Sequence, residues 1–513
     1  MFAIRITDPA GNALVYSYDT RGDLVTFEDR EHAISTYTYD GAHGLLDIRD
    51  PNGHAPVRNE YDASGRLLRT IDADGNSINY THSIAANQEI VTDRLGNPTV
   101  YAYDANGNVV QKTDANGGIT RYTFDAAGNK LTETDPLDHT TTLTYDSNGN
   151  VTSITDPLGN ARSATFDPGS GRRLTTTDER GNVTTFAYDA SGNLTRQEDA
   201  LHNVTTFVND SRGLRLSETN AVGCTTQFEY DGTGNLTKRT DGRGNVTTYS
   251  YDGSGNRLTE TRTRTTASGT ETVTTSYQYD HENRLTRTTY PDGAFMQDSY
   301  DGLGLRSQHT DELGRNTTYQ YNAAGDLIRT THPDGLTDLI AYDAEGRRTS
   351  TTDRGGRVTT IGYDKLGRIS STTKADGAIT RSVYDAAGRL IESTDARGNK
   401  TTYAYDIAGR NTSITDAAGA MTKFTFDAAG NKISTTDPNN NTTTFTYDAL
   451  NRLVKTTLAD GTFKSTTYDG VGRKTSETDQ AGAVTHFEYD CNGQLVKVTD
   501  ALNEVTTFTF DEV

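Results

Sequence analysis

The sequence predicts an all-β protein made from one short unit repeated end to end. Three observations carry that prediction. An aromatic residue followed by Asp returns every 21 residues through most of the 513-residue chain. Gly follows that Asp three positions later in most copies, the mark of a turn. Between turns, residues alternate with the period of a strand, as in Val183-Thr184-Thr185-Phe186-Ala187-Tyr188, where Phe186 and Tyr188 share one face. Length alone would suggest several domains, but an array in register overrides that prior.

Taking the Asp slot as an index gives 24 registers from Asp19 to Asp511, and 20 of the 23 intervals are 21 residues. Two are 22 and one is 28. Disordered low-complexity sequence does not hold register this way, so the chain is read as folded. The aromatic slot holds Tyr 18 times and Phe four times, with His82 and Asn209 as exceptions. The next slot is Asp except at Ser83 and Asn322. Representative triplets are Tyr103, Asp104 and Gly107; Tyr145, Asp146 and Gly149; Tyr188, Asp189 and Gly192; and Tyr405, Asp406 and Gly409. These are the candidate structural residues of the repeat. Asp opens a type I turn because its side chain caps nearby backbone amides, and Gly supplies the residue with positive φ. Asn stands in for Gly at Asn283 and Asn451, as expected of the best non-Gly tenant of that conformation. Each 22-residue interval is read as one extra residue before the Gly, in Asp40-Gly41-Ala42-His43-Gly44 and Asp167-Pro168-Gly169-Ser170-Gly171.

A second turn sits halfway, as in Thr113-Asp114-Ala115-Asn116-Gly117 and Thr155-Asp156-Pro157-Leu158-Gly159. Turns then alternate 10 and 11 residues apart. This leaves strands of about 6–7 residues, so each repeat is most simply a β-hairpin. Twenty-four hairpins give about 48 strands, and at ~4.8 Å each a flat sheet would be roughly 230 Å wide. Open twisted sheets of that width coil or close. The expected architecture is a long antiparallel strip spiralling into a hollow shell, uncapped at both ends. A parallel β-solenoid with one rung per repeat is the alternative that the period alone leaves open. The 28-residue interval places extra residues near 262–276, read as a long hairpin projecting from a continuous 1–513 array.

Composition supports a single layer rather than a thick core: only 32% of residues are hydrophobic and Trp is absent, whereas Tyr (28) and Gly (49) are plentiful. The formal net charge of −21 argues against nucleic acid or an anionic membrane as a partner. No apolar run is long enough for a membrane span, and the first residues carry no signal-peptide pattern. Cys224 and Cys491 form no metal or redox motif, and the expectation is two isolated thiols.

Candidate chemistry is sparse. Nearly every Asp occupies a turn slot that requires it. The ten His residues are scattered without metal-ligand spacing. Asp104-Ala105-Asn106-Gly107-Asn108 resembles the start of an EF-hand loop, but its Gly comes too early and no Glu completes it. No phosphate loop or nucleophile elbow occurs. The expectation is no enzyme, no catalytic residue, no cofactor and no dedicated metal site. Rows of Tyr could stack on sugar rings, although cross-strand packing is their ordinary use.

The unit Phe186-Ala187-Tyr188-Asp189-Ala190-Ser191-Gly192-Asn193 resembles the YD repeat of the Rhs family, and the resemblance covers essentially the whole chain. That family includes Rhs polymorphic toxins, Tc toxin B and C components and teneurins. The resemblance implies a secreted or cell-surface shell that encloses or presents a C-terminal toxin or effector domain. It also implies capping segments and a secretion-adapting N-terminal region, neither found in these residues, and an association with cell-surface carbohydrate. The family's Asp-Pro-x-Gly-Leu cleavage motif is met only by Asp156-Pro157-Leu158-Gly159-Asn160, which ends in Asn within an ordinary turn, so self-cleavage is not carried over. Three functional classes follow: a shell segment, a glycan-binding adhesion module, and an enzyme centred on residues 262–276, where Glu271 is the residue to mutate.

Overall fold

The computed structural model describes residues 2–266 and 269–511. Among the described residues there are 48 strands in one sheet and a single short 3-10 turn at Ile84–Ala86. Every strand pairs antiparallel with its neighbour in sequence, as in Val109–Thr113 with Ile119–Phe124 and then Lys130–Thr134. This excludes the parallel solenoid. The first strand, Phe2–Thr7, pairs with Ala13–Tyr18, and the last, Val505–Thr507, pairs with Leu495–Thr499. Among the described residues no ladder joins the two ends, so the sheet is an open strip rather than a closed barrel.

The two turns of a repeat share one geometry. At Asp104, the Asp104 N–H donates to Asn108 C=O (3.0 Å) and the Gly107 N–H donates to Asp104 C=O (3.2 Å). This is a three-residue hairpin loop, a type I turn followed by a left-handed residue. Gly107 has φ 85° there. Where Gly is missing the same slot holds Asn283 (φ 63°) and Asn451 (φ 61°), and also His32, Asp138 and His202.

The two hairpins differ in one respect. At the mid-repeat turn the ladder is regular, with Gln111 opposite Arg121 through Thr113 opposite Ile119. At the Tyr-Asp turn the register slips by one: Tyr103 faces Val109, but Ala102 faces Gln111. That is a β-bulge. Its consequence accumulates. Ala102 pairs with Gln111, which pairs with Arg121, 19 residues on rather than 21. Thr144, Ser153 and Ser163 repeat the pattern. Each repeat therefore shifts the sheet two residues along its strands, which inclines the strands by about 35° to the cross-strip direction. Closed barrels use a similar tilt, about 35–45°. A strip sheared and twisted in this way curls.

The 22-residue intervals resolve differently. At Asp167 the turn itself is enlarged, with the Gly171 N–H reaching Asp167 C=O at 2.8 Å. At Asp40 the turn keeps its normal size, because His43 takes the left-handed slot at φ 70° and Gly44 becomes the closing residue. The extra residue lies instead in the next mid-repeat hairpin, where only Asp47–Arg58 and Ile48–Val57 pair. At residues 262–276 the strands Arg257–Thr266 and Gly269–Tyr279 form one long hairpin, paired from Thr259–Ser276 out to Thr266–Gly269. Among the described residues only Ala13 and Phe207 are buried apolar side chains, so no solid core exists.

Candidate functional site: the turns and the seam

The Asp of each turn is a backbone cap. Asp104 Oδ1 accepts from the N–H groups of Asn106 and Asn108, both at 2.9 Å, and Oδ2 accepts from Asn108 Nδ2 at 3.0 Å. Asp146 and Asp189 make the same contacts with Asn150 and Asn193. These bonds hold the carboxyls of Asp104, Asp146 and Asp189 below the usual aspartate value, the Asn side-chain amide being the largest cause in each. At Asp406 the closing residue is Arg410, whose Nε donates to Asp406 Oδ2 at 2.7 Å. Gly149, Gly192 and Gly409 all have positive φ (81°, 90° and 81°).

The Tyr has a separate job. Strands meeting at a mid-repeat turn pair over three residues and then splay, as in Thr132–Thr142 through Thr134–Thr140. Beyond that point Lys130 would leave its carbonyl without a ladder partner. Tyr145 Oη donates to it at 2.8 Å. Tyr188 does the same to Arg173 (2.9 Å) and Tyr405 to Leu390 (2.7 Å). A buried or half-buried carbonyl left unpaired is costly, which gives Tyr its place in the repeat. Both exceptions keep the bond: His82 Nε2 lies 2.8 Å from Leu67 C=O, and Asn209 Nδ2 lies 3.0 Å from Leu194 C=O. Tyr103 instead bonds Glu89 (3.1 Å), beside the irregular 3-10 turn. Later repeats cover the ring as well. The Arg389 guanidinium lies 4.9 Å from the Tyr405 ring centre, bonds Asp385 Oδ2 (2.7 Å), and donates to Asp406 C=O (3.0 Å). Such rings are not free platforms for sugars.

Contacts between distant repeats show how the strip coils. The Arg30 N–H bonds the Glu282 carboxylate, 252 residues away, and Arg30 Nη1 lies 3.7 Å from Glu282 Oε2. Arg94 and Glu345 meet 251 residues apart (3.6 Å), and Arg180 reaches Asp427 (3.3 Å). Arg243 reaches Gln494 at 2.8 Å, and Asn492 reaches Asp241 at 2.6 Å. A Cβ placed on Gly302 would stand 3.4 Å from Asn52 Oδ1, and one on Gly253 the same distance from Pro9 Cβ. In every case a mid-repeat turn of the first half touches a Tyr-Asp turn of the second. Counted by turns, Arg30 and Glu282 stand eleven and a half repeats apart, because the 22-, 22- and 28-residue intervals between them add nine residues. Arg180 also donates to the Asp448 carbonyl, twelve and a half repeats on, so one coil takes about twelve repeats. The strip therefore makes two coils, joined edge to edge along one seam. Each coil holds about 24 strands in a ring about 45 Å across at the backbone.

Exposure distinguishes the seam from the free edge. Arg347, at a Tyr-Asp turn on the seam, is 21% exposed in its side chain, whereas Arg357, at a second-coil mid-repeat turn, is 77% exposed.

Sequence reasoning missed the seam and its crosslink. Cys224 and Cys491 are not isolated thiols. They form a disulfide between residues 267 apart in sequence, joining the mid-repeat turn of Asn220 to the Tyr-Asp turn of Asp490. Linear spacing hides such a pair; only the twelve-repeat coil brings it together. Among the described residues no group of three or more His, Cys, Asp or Glu is placed to hold a metal ion, and no helix is long and apolar enough to cross a membrane.

An open, sheared β-strip coiled edge to edge defines a β-shell protein. The comparisons agree. The RHS Repeat family matches at several stretches between residues 88 and 204 and again over 384–462, and the Teneurin YD-shell family matches residues 214–399. No curated protein sequence matches the chain. Among solved structures, the TcdB2-TccC3 crystal structure superposes with a TM-score of 0.58 at 14% identity, covering 96% of this chain and 37% of that one. TcdB2-TccC3 without its hypervariable C-terminal region gives 0.56 at 16% identity, covering 97% and 32%. The Photorhabdus luminescens Tc holotoxin pore gives 0.51 at 15% identity, covering 99% and 31%. The chain belongs to the Rhs/YD-repeat family. It spans about a third of the length of the solved structures it matches.

Proposed function

We propose that this chain forms part of the wall of a hollow shell that encloses a separately folded effector, a C-terminal toxin domain of the full-length protein, outside the producing cell. The single observation that carries this reading is the seam. Edge-to-edge docking of repeats twelve apart turns a strip into a tube, and a tube with no side-chain core has room inside. At about 45 Å across the backbone, a bore of this kind accommodates a partly folded or small folded domain. The shell role of the family and the Tc toxin complexes among the structural neighbours support the same reading. Capping segments and a delivery apparatus are its expected partners. The Asp and Gly residues that suggest chemistry are engaged in turns, which favours a structural role over an enzymatic one. Covered Tyr rings and engaged hydroxyls make the glycan-binding alternative the weaker one.

A protease-protection experiment tests the reading. The full-length protein is digested with a nonspecific protease, and the effector segment is followed with an antibody tag. Enclosure predicts survival of that segment until the shell is denatured. Digestion at the rate of the isolated segment would refute it.

A further inference from the structure

We infer that the Cys224–Cys491 disulfide is a reducible latch on the seam, opened by a thiol reductant of the glutathione or dithiol class. The inference concerns this chain's own two coils and stands whether or not a cargo lies inside.

Three departures from the repeat converge on the latch. Cys224 closes a mid-repeat turn where first-coil repeats commonly carry Asn, as at Asn160, Asn182 and Asn203. Its N–H is capped by Asn220 Oδ1 at 3.0 Å, and Asn220 is a neutral residue in a slot that is otherwise Asp throughout the first coil. Cys491 follows Asp490 in the facing Tyr-Asp turn. Gly242 occupies the position after Asp241 where other mid-repeat turns hold Ala, Pro, Arg or another side chain. A Cβ on Gly242 would stand 2.8 Å from Cys491 Cβ, 3.2 Å from Cys491 O and 3.4 Å from Cys224 Cβ. Gly242 thus clears the space through which the two cysteines approach.

The rest of the local seam is polar. Arg243 lies 3.4 Å from Asp490 and 2.8 Å from Gln494 Oε1, and Asn492 bonds Asp241. Exposed or half-exposed contacts of this kind are each weak and are screened by salt. The covalent bond closes a loop of 267 residues, so it restricts the undocked coil far more than any of them. Cys491 is exposed and Cys224 partly so, which leaves the bond open to attack. A reductant thiolate attacks Cys491 Sγ, forming a mixed disulfide and releasing Cys224 as a thiolate that takes up a proton. A second reductant thiol displaces Cys491. Net, one protein disulfide and two reductant thiols become two cysteine thiols and one oxidised reductant. Disulfides persist in extracellular surroundings and are reduced in the cytosol, so the latch holds outside a cell and releases inside one.

Hydrogen exchange on the full chain, with and without dithiothreitol, tests this, alongside peptide mapping of the oxidised protein. Expected are a Cys224–Cys491 crosslinked peptide, at least tenfold faster exchange at 241–245 and 490–494 after reduction, and unchanged exchange in hairpins far from the latch such as 98–113. Cys224→Ser should exchange like the reduced protein in either buffer. Gly242→Ala should lose the crosslink while keeping its distant hairpins protected, which separates latch failure from misfolding. Absence of the crosslinked peptide, equal seam exchange in both buffers, or loss of protection throughout the array on reduction would each overturn the inference.

Discussion

Asn209 donates its side-chain amide to the Leu194 carbonyl at 3.0 Å, taking over a bond that the Tyr of other repeats makes with its hydroxyl. The substitution changes the aromatic ring but keeps the donor. In most repeats the aromatic slot is therefore also a hydrogen-bond slot, its partner the carbonyl exposed where mid-repeat strands splay, while Phe124, Phe166 and Phe426 fill it without a donor. Asn209→Ala, or Tyr188→Phe at the equivalent bond to Arg173 (2.9 Å), should each cost about 0.5–1.5 kcal/mol. Asn209→Tyr should be neutral or stabilising. Urea unfolding midpoints check all three, and a Tyr188→Phe protein as stable as the parent would show that the hydroxyl bond is dispensable.

The left-handed slot of each turn sets a second expectation. Gly107 has φ 85°, and a Cβ added there would meet nothing within 4 Å, so space is no obstacle and backbone conformation alone decides. Gly107→Asn should be nearly silent, as Asn283 and Asn451 already hold that slot. Gly107→Ala should cost about 1 kcal/mol and Gly107→Val more. Thermal unfolding of the three variants should rank them in that order.

Turn carboxylates make stability depend on acid. Asp231 is held at about 2, with the Thr233 hydroxyl the largest cause and the Asn235 amides contributing. Asp104, Asp146 and Asp189 are lowered in the same direction. A carboxyl whose folded pKa lies below its unfolded value of 3.8 stabilises the fold fully above that value, and the contribution is lost as pH falls toward the folded pKa. The melting temperature should be level from neutral pH to about pH 5 and fall steeply between about pH 4 and 2. A melting temperature that rises over that window would contradict the capping role.

At the seam, Arg94 bridges Asp72 on its own edge (2.9 Å) and Glu345 on the facing one (3.6 Å). A double-mutant cycle of Arg94→Ala and Glu345→Ala should give a coupling of about 1 kcal/mol or less, shrinking in high salt. Zero coupling at low salt would mean the two edges do not dock there.

Much of this fold was legible in the sequence because its determinants are local. Most turns carry Asp at the first position and Gly or Asn at the fourth, and strands need alternation, all within ten residues. The placement of the extra residue near Asp40 was not legible, because His43 is an uncommon tenant of a left-handed slot. Nor was the Tyr hydroxyl's partner, which lies 15 residues back across a splayed ladder. The seam was the least visible. It depends on shear that accumulates from one bulge per repeat over twelve repeats, so nothing in the linear spacing of Cys224 and Cys491, or of Arg94 and Glu345, announces that they meet.

Coiling is the central claim, and small-angle X-ray scattering of the oxidised chain tests it most directly. Two coils about 45 Å across at the backbone, stacked along one seam, should give a maximum dimension of about 80–90 Å and a distance distribution with the deficit of short distances typical of a hollow particle. The same strip laid out without the seam would extend to about 280 Å. A maximum dimension above about 200 Å would contradict the two-coil shell.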